Sequence, residues 1–170
     1  MVKSFNNVIE ERYSVRSFQD KAVEKDLINQ ILECGRIAPT AGCENPVIVY
    51  SLDKEQIIKL KEATKYTFKA NNMLVVCYDN KISYKREQDG LDFGIEDASI
   101  ITTYMMLKIT ELGLGSCWVG SFYPDKVSSI LNLPDNIIPV SLLPFGYIAS
   151  DSKPSEWHSD RRTMKDFMKN

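Results

Sequence analysis

The chain has one histidine, His158, near the C-terminal end of its 170 residues. A histidine-rich metal centre is therefore excluded, and a Ser-His-Asp triad would hang on that single residue. His158 reads better as a surface or capping side chain. Cysteine is sparse as well. Cys34, Cys43, Cys77 and Cys117 lie far apart and form no C-x-x-C pair. That spacing disfavours a zinc or dithiol site and favours buried free thiols in a reducing compartment. No glycine-lysine phosphate loop occurs. Positive charge is not in excess, since 21 Lys and Arg face 23 Asp and Glu, a formal net charge of −2. A general nucleic-acid or anionic-membrane binder needs a basic surplus, so neither partner is expected. No apolar run approaches membrane-spanning length, and the opening MVKSFNNVIEERYSVRSF lacks the apolar core of a signal peptide. A cytoplasmic location is the expectation.

What is present suits one domain spanning residues 1–170, with 44% hydrophobic and 26% charged residues. Ser4 can cap a short helix that turns Phe5, Val8 and Ile9 inward. Arg12 to Phe18 then reads as extended. A helix over about Val23 to Ile37 carries Leu27, Ile28, Ile31 and Leu32 at helical spacing. Val47 to Tyr50 is an apolar, β-branched run and reads as a strand, and Met73 to Tyr78 is a buried strand. Asp53 with Gln56 forms a capping box for a helix through Ile57, Ile58 and Leu60. The longest helix runs from about Phe93 to Leu112, with Ala98, Ile101, Met105 and Leu112 inward, and Gly113 ends it. Cys117 to Val119 gives a short strand, and Pro124 opens a helix carrying Val127, Ile130 and Leu131. Ile137 to Ile148 is extended, but Pro139 and Pro144 argue for edges or bends rather than a central strand throughout. The tail from Lys153 to Asn170 is too polar to fold alone and must lie against something, such as another subunit. Buried strands flanked by helices point to a helix–sheet–helix sandwich.

Four stretches could carry chemistry. In an extended Arg12-Tyr13-Ser14-Val15-Arg16, residues 12, 14 and 16 share one face. Two guanidiniums and a hydroxyl on one side suit a phosphate or the carbonyl edge of a flat ring. Solvated surface charge, with Arg12 against a helix C-terminus, is the alternative. The loop Ala38-Pro39-Thr40-Ala41-Gly42-Cys43-Glu44-Asn45-Pro46 combines small residues with polar Thr40 and Asn45, which suits either close backbone approach to a ligand or a plain connection. Gly113-Leu114-Gly115 follows a helix and lacks a third glycine at the required spacing, so a dinucleotide-binding fingerprint fails. It reads instead as a helix end followed by a strand with a free edge at Val119 and Gly120. Arg161 and Arg162 are surface charge or a phosphate clamp. Glu10-Glu11 and Glu96-Asp97 are adjacent carboxylates that do not face each other on a helix. Asp97 would make a structural hydrogen bond if buried.

In this order, these stretches resemble the nitroreductase family. The match runs through Arg12/Ser14/Arg16/Phe18, then Ala38-Pro39-Thr40 to Asn45-Pro46, then Asp97 through Gly113-Leu114-Gly115, and the tail arginines. The resemblance implies an α+β fold, a three-layer helix–sheet–helix sandwich with a mostly antiparallel sheet. It implies a homodimer formed through the long helix, with FMN at the subunit interface. By position, Arg12, Ser14 and Arg16, with Tyr13 among them, meet the FMN phosphate, ribityl chain and pyrimidine edge. Pro39, Thr40, Ala41 and Asn45 approach from the other subunit. The backbone of Val119 and Gly120 lies near flavin N5, and Arg162, with Arg161, binds phosphate. The activity implied is ping-pong reduction of a nitroaromatic, quinone or similar electron-poor small molecule by NADH or NADPH. The chemistry sits on the flavin, with no catalytic side chain and no metal, and Arg16 stabilises negative charge at the N1–C2 edge. Related flavin reactions (dehalogenation, enoate reduction, flavin breakdown), a non-catalytic FMN-binding protein and a thiol enzyme using Cys43 are the alternatives. Cys43, Asn45 and Val47 depart from the family pattern, where Asn, Gln and Trp are common. The Asn and Lys expected before the second strand have no clear match, Lys65 and Lys69 being the candidates for the lysine. The stretch Asn80 to Asp92 is too brief for the helical excursion of longer members.

Overall fold

The computed structural model describes residues 3–169. Its helices are α1 (Phe5–Glu11), α2 (Lys25–Arg36), α3 (Lys54–Lys59), α4 (Gly94–Glu111), α5 (Pro124–Leu131) and α6 (Met164–Phe167). Its strands are β1 (Val47–Leu52), β2 (Asn72–Asp79), β3 (Gly115–Ser116) and β4 (Ile137–Gly146). The strands form one antiparallel sheet in the order β1-β2-β4-β3.

Strand β2 is the centre of the sheet, buried over all but its last residue. Because successive side chains alternate, it feeds two cores at once. Leu74 and Val76 join Leu143 and Phe145 of β4 beneath α2 and α4. Met73, Val75 and Cys77 join Leu142 beneath α3 and α5. This is the expected helix–sheet–helix sandwich. Each fully buried aliphatic side chain contributes about 1.5–3 kcal/mol relative to exposure.

Local signals place the elements well. Asp53 and Gln56 form the anticipated capping box at α3. Pro124 occupies the first turn of α5, and Gly113, at φ 75°, follows the end of α4. On α4, Ala98, Ile101, Met105 and Ile109 face the core. Helix α2 crosses α4 closely enough that a Cβ on Gly35 would lie 2.8 Å from Met105 Cγ.

Four expectations need correction. Of the α1 apolar residues only Val8 is buried, while Phe5 and Ile9 face outward. Of the four free cysteines, Cys43 is exposed and Cys34 partly buried. The short strand is Gly115–Ser116 rather than residues 117–119, because pairing is dictated by where the end of β4 can receive it. Strand β4 is internal despite its prolines. Pro139 sits at a register shift opposite Val76/Cys77. The carbonyl of Pro144 accepts from the Cys117 N–H (3.1 Å). Its ring nitrogen therefore faces the same short-strand side, and no bond to β2 is lost. Among the described residues no helix is long and apolar enough to cross a membrane.

Gly94, at the start of α4, lies flat under the Tyr78 ring: an added Cβ would fall 1.9 Å from Tyr78 Cδ2. Substituting Gly94→Ala forces that buried ring to move. We expect a loss of about 3 kcal/mol from overpacking, read as a lower urea midpoint.

Candidate functional site

Helix α1 ends at Arg12, which turns to extended backbone (φ −66°, ψ 123°). The next residues run beside β3 as a strap. Val15 donates its N–H to the Ser116 carbonyl (2.9 Å), and Ser14 forms a parallel bridge with Ser116. The Val15 side chain is 1% exposed and lies so close to Gly115 that a Cβ there would meet Val15 Cγ2 at 2.5 Å. Alternation then sends Arg12, Ser14 and Arg16 to the other face. They gather around Cys117. Burial pushes the Cys117 thiol pKa up, while the Arg16 charge, the Ser14 side chain and the Arg12 charge each draw it back down. Neither arginine has a carboxylate partner among the described residues. Two uncompensated guanidiniums beside a hydroxyl form a ready anion site.

Tyr13 stands apart from that cluster. Its hydroxyl bonds the Ser152 Oγ (3.2 Å), and its ring meets His158 edge-on at 6.3 Å. It anchors the C-terminal segment. His158 is thus half-buried against Tyr13 rather than a free surface residue.

The edge at residues 119–120 is only half free. Val119 donates to the Leu142 carbonyl (2.8 Å) and accepts from the Leu142 N–H (3.0 Å). Its amide is therefore already spent, which corrects the expected free edge. Gly120 is exposed, its N–H has no partner among the described residues, and nothing lies within 4 Å of where a Cβ would stand. A second loop is fastened beside it. Thr64 Oγ1 donates to the Ser121 carbonyl (2.8 Å), and the Tyr123 N–H donates to the Ala63 carbonyl (3.0 Å). Further along that loop, Phe68 and Lys69 hold left-handed backbone (φ 50° and 54°). Two such residues in a row are strained, a feature concentrated at functional sites. Sequence reasoning named Lys65 and Lys69 but not the Thr64 anchor, for which the sequence carries no signal.

The loop at 39–45 is the other strained segment, with Gly42, Cys43 and Asn45 at φ 61°, 59° and 52°. Thr40 Oγ1 accepts from the Asn45 N–H (3.2 Å), and Asn45 Nδ2 donates to the Cys43 carbonyl (2.6 Å). Asp97 Oδ1 accepts from the Ala41 N–H (2.8 Å). Pro39, Cys43 and Asn45 are exposed, Thr40 and Ala41 half-buried.

This loop and the strap occupy opposite corners of the sheet. The loop leads into Val47, opposite Tyr78 on β2, whereas Ser116 pairs with Phe145, opposite Asn72. From residue 72 to 78 is roughly 20 Å along the strand, and the three strand intervals add roughly 14 Å across. No hydrogen bond or ion pair among the described residues joins the two segments. Arg161 donates to the carbonyls of Trp157 and Asp160, on the tail segment that the Tyr13–His158 contact brings to the strap.

Comparison with known proteins identifies the family and the fold. The model of the nitroreductase family matches residues 9–74 and 67–147, which include the strap, the 39–45 loop and Gly120. The chain belongs to the nitroreductase family. A Methanothermobacter thermautotrophicus relative, provisionally named NADH dehydrogenase/NAD(P)H nitroreductase, is 30% identical over 84% of this chain and 76% of its own length. The crystal structure of a Clostridium difficile 630 nitroreductase family protein superposes with TM-score 0.92 at 34% identity, covering 98% of each chain. A Desulfovibrio desulfuricans protein crystallised with FMN, provisionally named a nitroreductase, shares the fold at TM-score 0.81 and 21% identity, over 99% of this chain and 96% of that one. In this nitroreductase-family chain, Arg161 and Arg162 lie beyond the residues matched by the family model.

The thiols of the chain differ sharply in environment. Cys43 is exposed, whereas burial lifts the Cys77 thiol to about 12. A thiol stays protonated and unreactive well below its pKa. Alkylation of the native protein at pH 8 is expected to label Cys43 first and leave Cys77 unmodified until unfolding, as read by peptide mass spectrometry.

Proposed function

We propose that this nitroreductase-family chain is an oxidoreductase that holds FMN between two copies of itself. It reduces electron-poor small molecules, such as nitroaromatics or quinones, at the expense of NADH or NADPH. The observation that carries the reading is the Arg12/Arg16 pair, without a carboxylate partner among the described residues, with Ser14 beside Ser116 and the open Gly120 amide further along the same edge of the sheet. The donor set fits the cofactor: guanidiniums and a hydroxyl suit a phosphate and a pyrimidine carbonyl edge, and a bare N–H suits a ring nitrogen. FMN, once bound, supplies hydride uptake from the pyridine nucleotide and its delivery to the acceptor.

The chain's own residues bind and orient. Arg12 and Ser14 take the phosphate and ribityl end. Arg16, the most exposed of the three, neutralises negative charge at the pyrimidine edge. Gly120 leaves room for a flat ring and offers its N–H. Pro39, Thr40, Ala41 and Asn45 sit at the far corner of the same sheet, so they serve the site of a second copy. Arg161 and Arg162 lie on a tail that exposes Trp157 (80%) and Phe167 (79%), side chains that an adjoining subunit would cover. The outer side of α4 supplies a dimer face, with Ile100 and Tyr104 exposed and Phe5 of α1 exposed near Tyr104. One open face receives the nucleotide and then the acceptor, which gives ping-pong kinetics. No side-chain acid or nucleophile is needed, and Cys43 has no catalytic role. We place the protein in the cytoplasm, where its four free thiols stay reduced.

Purified protein should be yellow, dimeric by sedimentation, and able to oxidise NADH or NADPH when a quinone or nitroaromatic is added. Replacing Arg16 by Ala removes a charge-assisted contact and should weaken FMN binding roughly 10- to 100-fold. A colourless monomer that takes up no FMN, or an Arg16→Ala variant with normal flavin content, would sink this reading.

A further inference from the structure

The loop at 39–45 is left-handed at three of its seven residues, Gly42, Cys43 and Asn45. Its hydrogen bonds are almost all internal: Thr40 with Asn45, Asn45 with Cys43, the Cys43 N–H with Thr40, and the Glu44 N–H with Ala41. Among the described residues one hydrogen bond leaves the loop, from the Ala41 N–H to Asp97 Oδ1 at 2.8 Å. Asp97 projects from the first turn of α4 and is 1% exposed. Its second oxygen, Oδ2, is buried without a partner.

A buried, half-satisfied carboxylate is a poor way to fill a core, since an apolar side chain would carry no desolvation cost. Its environment confirms the penalty: burial raises the Asp97 pKa, the Ala41 N–H lowers it, and the charges of Glu96 and Asp92 raise it further. The carboxylate must therefore serve something other than packing, and its one bond identifies what. We propose that Asp97 is the positioning residue of the cofactor site, pinning the 39–45 loop to α4 through the Ala41 N–H so that Thr40 and Asn45 are presented in one fixed conformation. The inference rests on the FMN reading and extends it to a residue that does not touch the flavin. The pin works because α4 is the most deeply anchored helix, and a loop tied to it inherits that rigidity.

The test compares Asp97→Ala and Asp97→Asn with the wild type by three measurements: FMN affinity by fluorescence titration of the apoprotein, thermal midpoint, and amide hydrogen exchange at Ala41. Asp97→Ala should lose at least about tenfold in FMN affinity and lose protection at Ala41. Asp97→Asn keeps an acceptor for that N–H and should recover most of both. A packing role alone would shift the thermal midpoint and leave the affinity of the folded protein unchanged, which overturns the proposal. An asparagine variant as impaired as the alanine one overturns it too. Should Asp97→Ala not fold, exchange in the wild type decides: Ala41 must be protected relative to Gly42, and equally fast exchange at both refutes the pin. If wild-type protein binds no FMN, the functional reading falls, while the exchange comparison still settles whether Asp97 fixes the loop.

Discussion

The close approach of Val15 to Gly115 is the constraint on which the candidate site depends. A strap can lie beside β3 only if β3 offers a residue with no side chain at the crossing. Gly115 does so, and the bond from the Val15 N–H to Ser116 then sets the register. Once Val15 is committed inward, backbone alternation leaves no freedom in where Arg12, Ser14 and Arg16 point. Any side chain at residue 115 would lift the strap, lose the bond to Ser116 and scatter two cations that have no carboxylate partner among the described residues. The electrostatics of the site thus follow from a packing contact on its opposite face.

Much of this was legible in the sequence. The alternation in Arg12 to Arg16 needs only two-residue periodicity, and the structure keeps it. The capping box at Asp53, Pro124 in the first turn of α5 and Gly113 after α4 are local signals that tertiary packing had no reason to override. What failed was decided over long distances. Pro139 and Pro144 argue locally against a central strand, yet a register shift and a one-sided missing donor let β4 run through the middle of the sheet. Gly115 and Ser116 have little intrinsic strand preference and pair because β4 is there. The engagement of the Val119 amide, the clamp of Thr64 on Ser121 and the exposure of Phe5 and Ile9 belong to the same class. Each depends on which surfaces meet.

The placement of motifs shows the same division. Arg12–Arg16 and Thr40–Asn45 are separated by a single helix in sequence, and nothing in that spacing says they end at opposite corners. Strand order does. Backbone strain, likewise invisible in composition for Cys43, Phe68 and Lys69, gathers in two loops rather than being spread over the surface. Left-handed Asn132 is the exception and has an ordinary role at the end of α5. Strain held by internal hydrogen bonds and a buried tie is how a loop is kept ready for a ligand rather than shaped by it.

The diagonal separation of the strap and the 39–45 loop has a thermodynamic corollary for a cofactor shared between copies. If neither chain can surround the ligand alone, then ligand capture and chain association are one linked equilibrium. Each FMN would act as adhesive between protomers, and each protomer as part of the other's receptor. Dilution would then strip the prosthetic group, and a saturating supply of it would hold the pair together. The amount of polypeptide in the cell would itself set how much of it is armed.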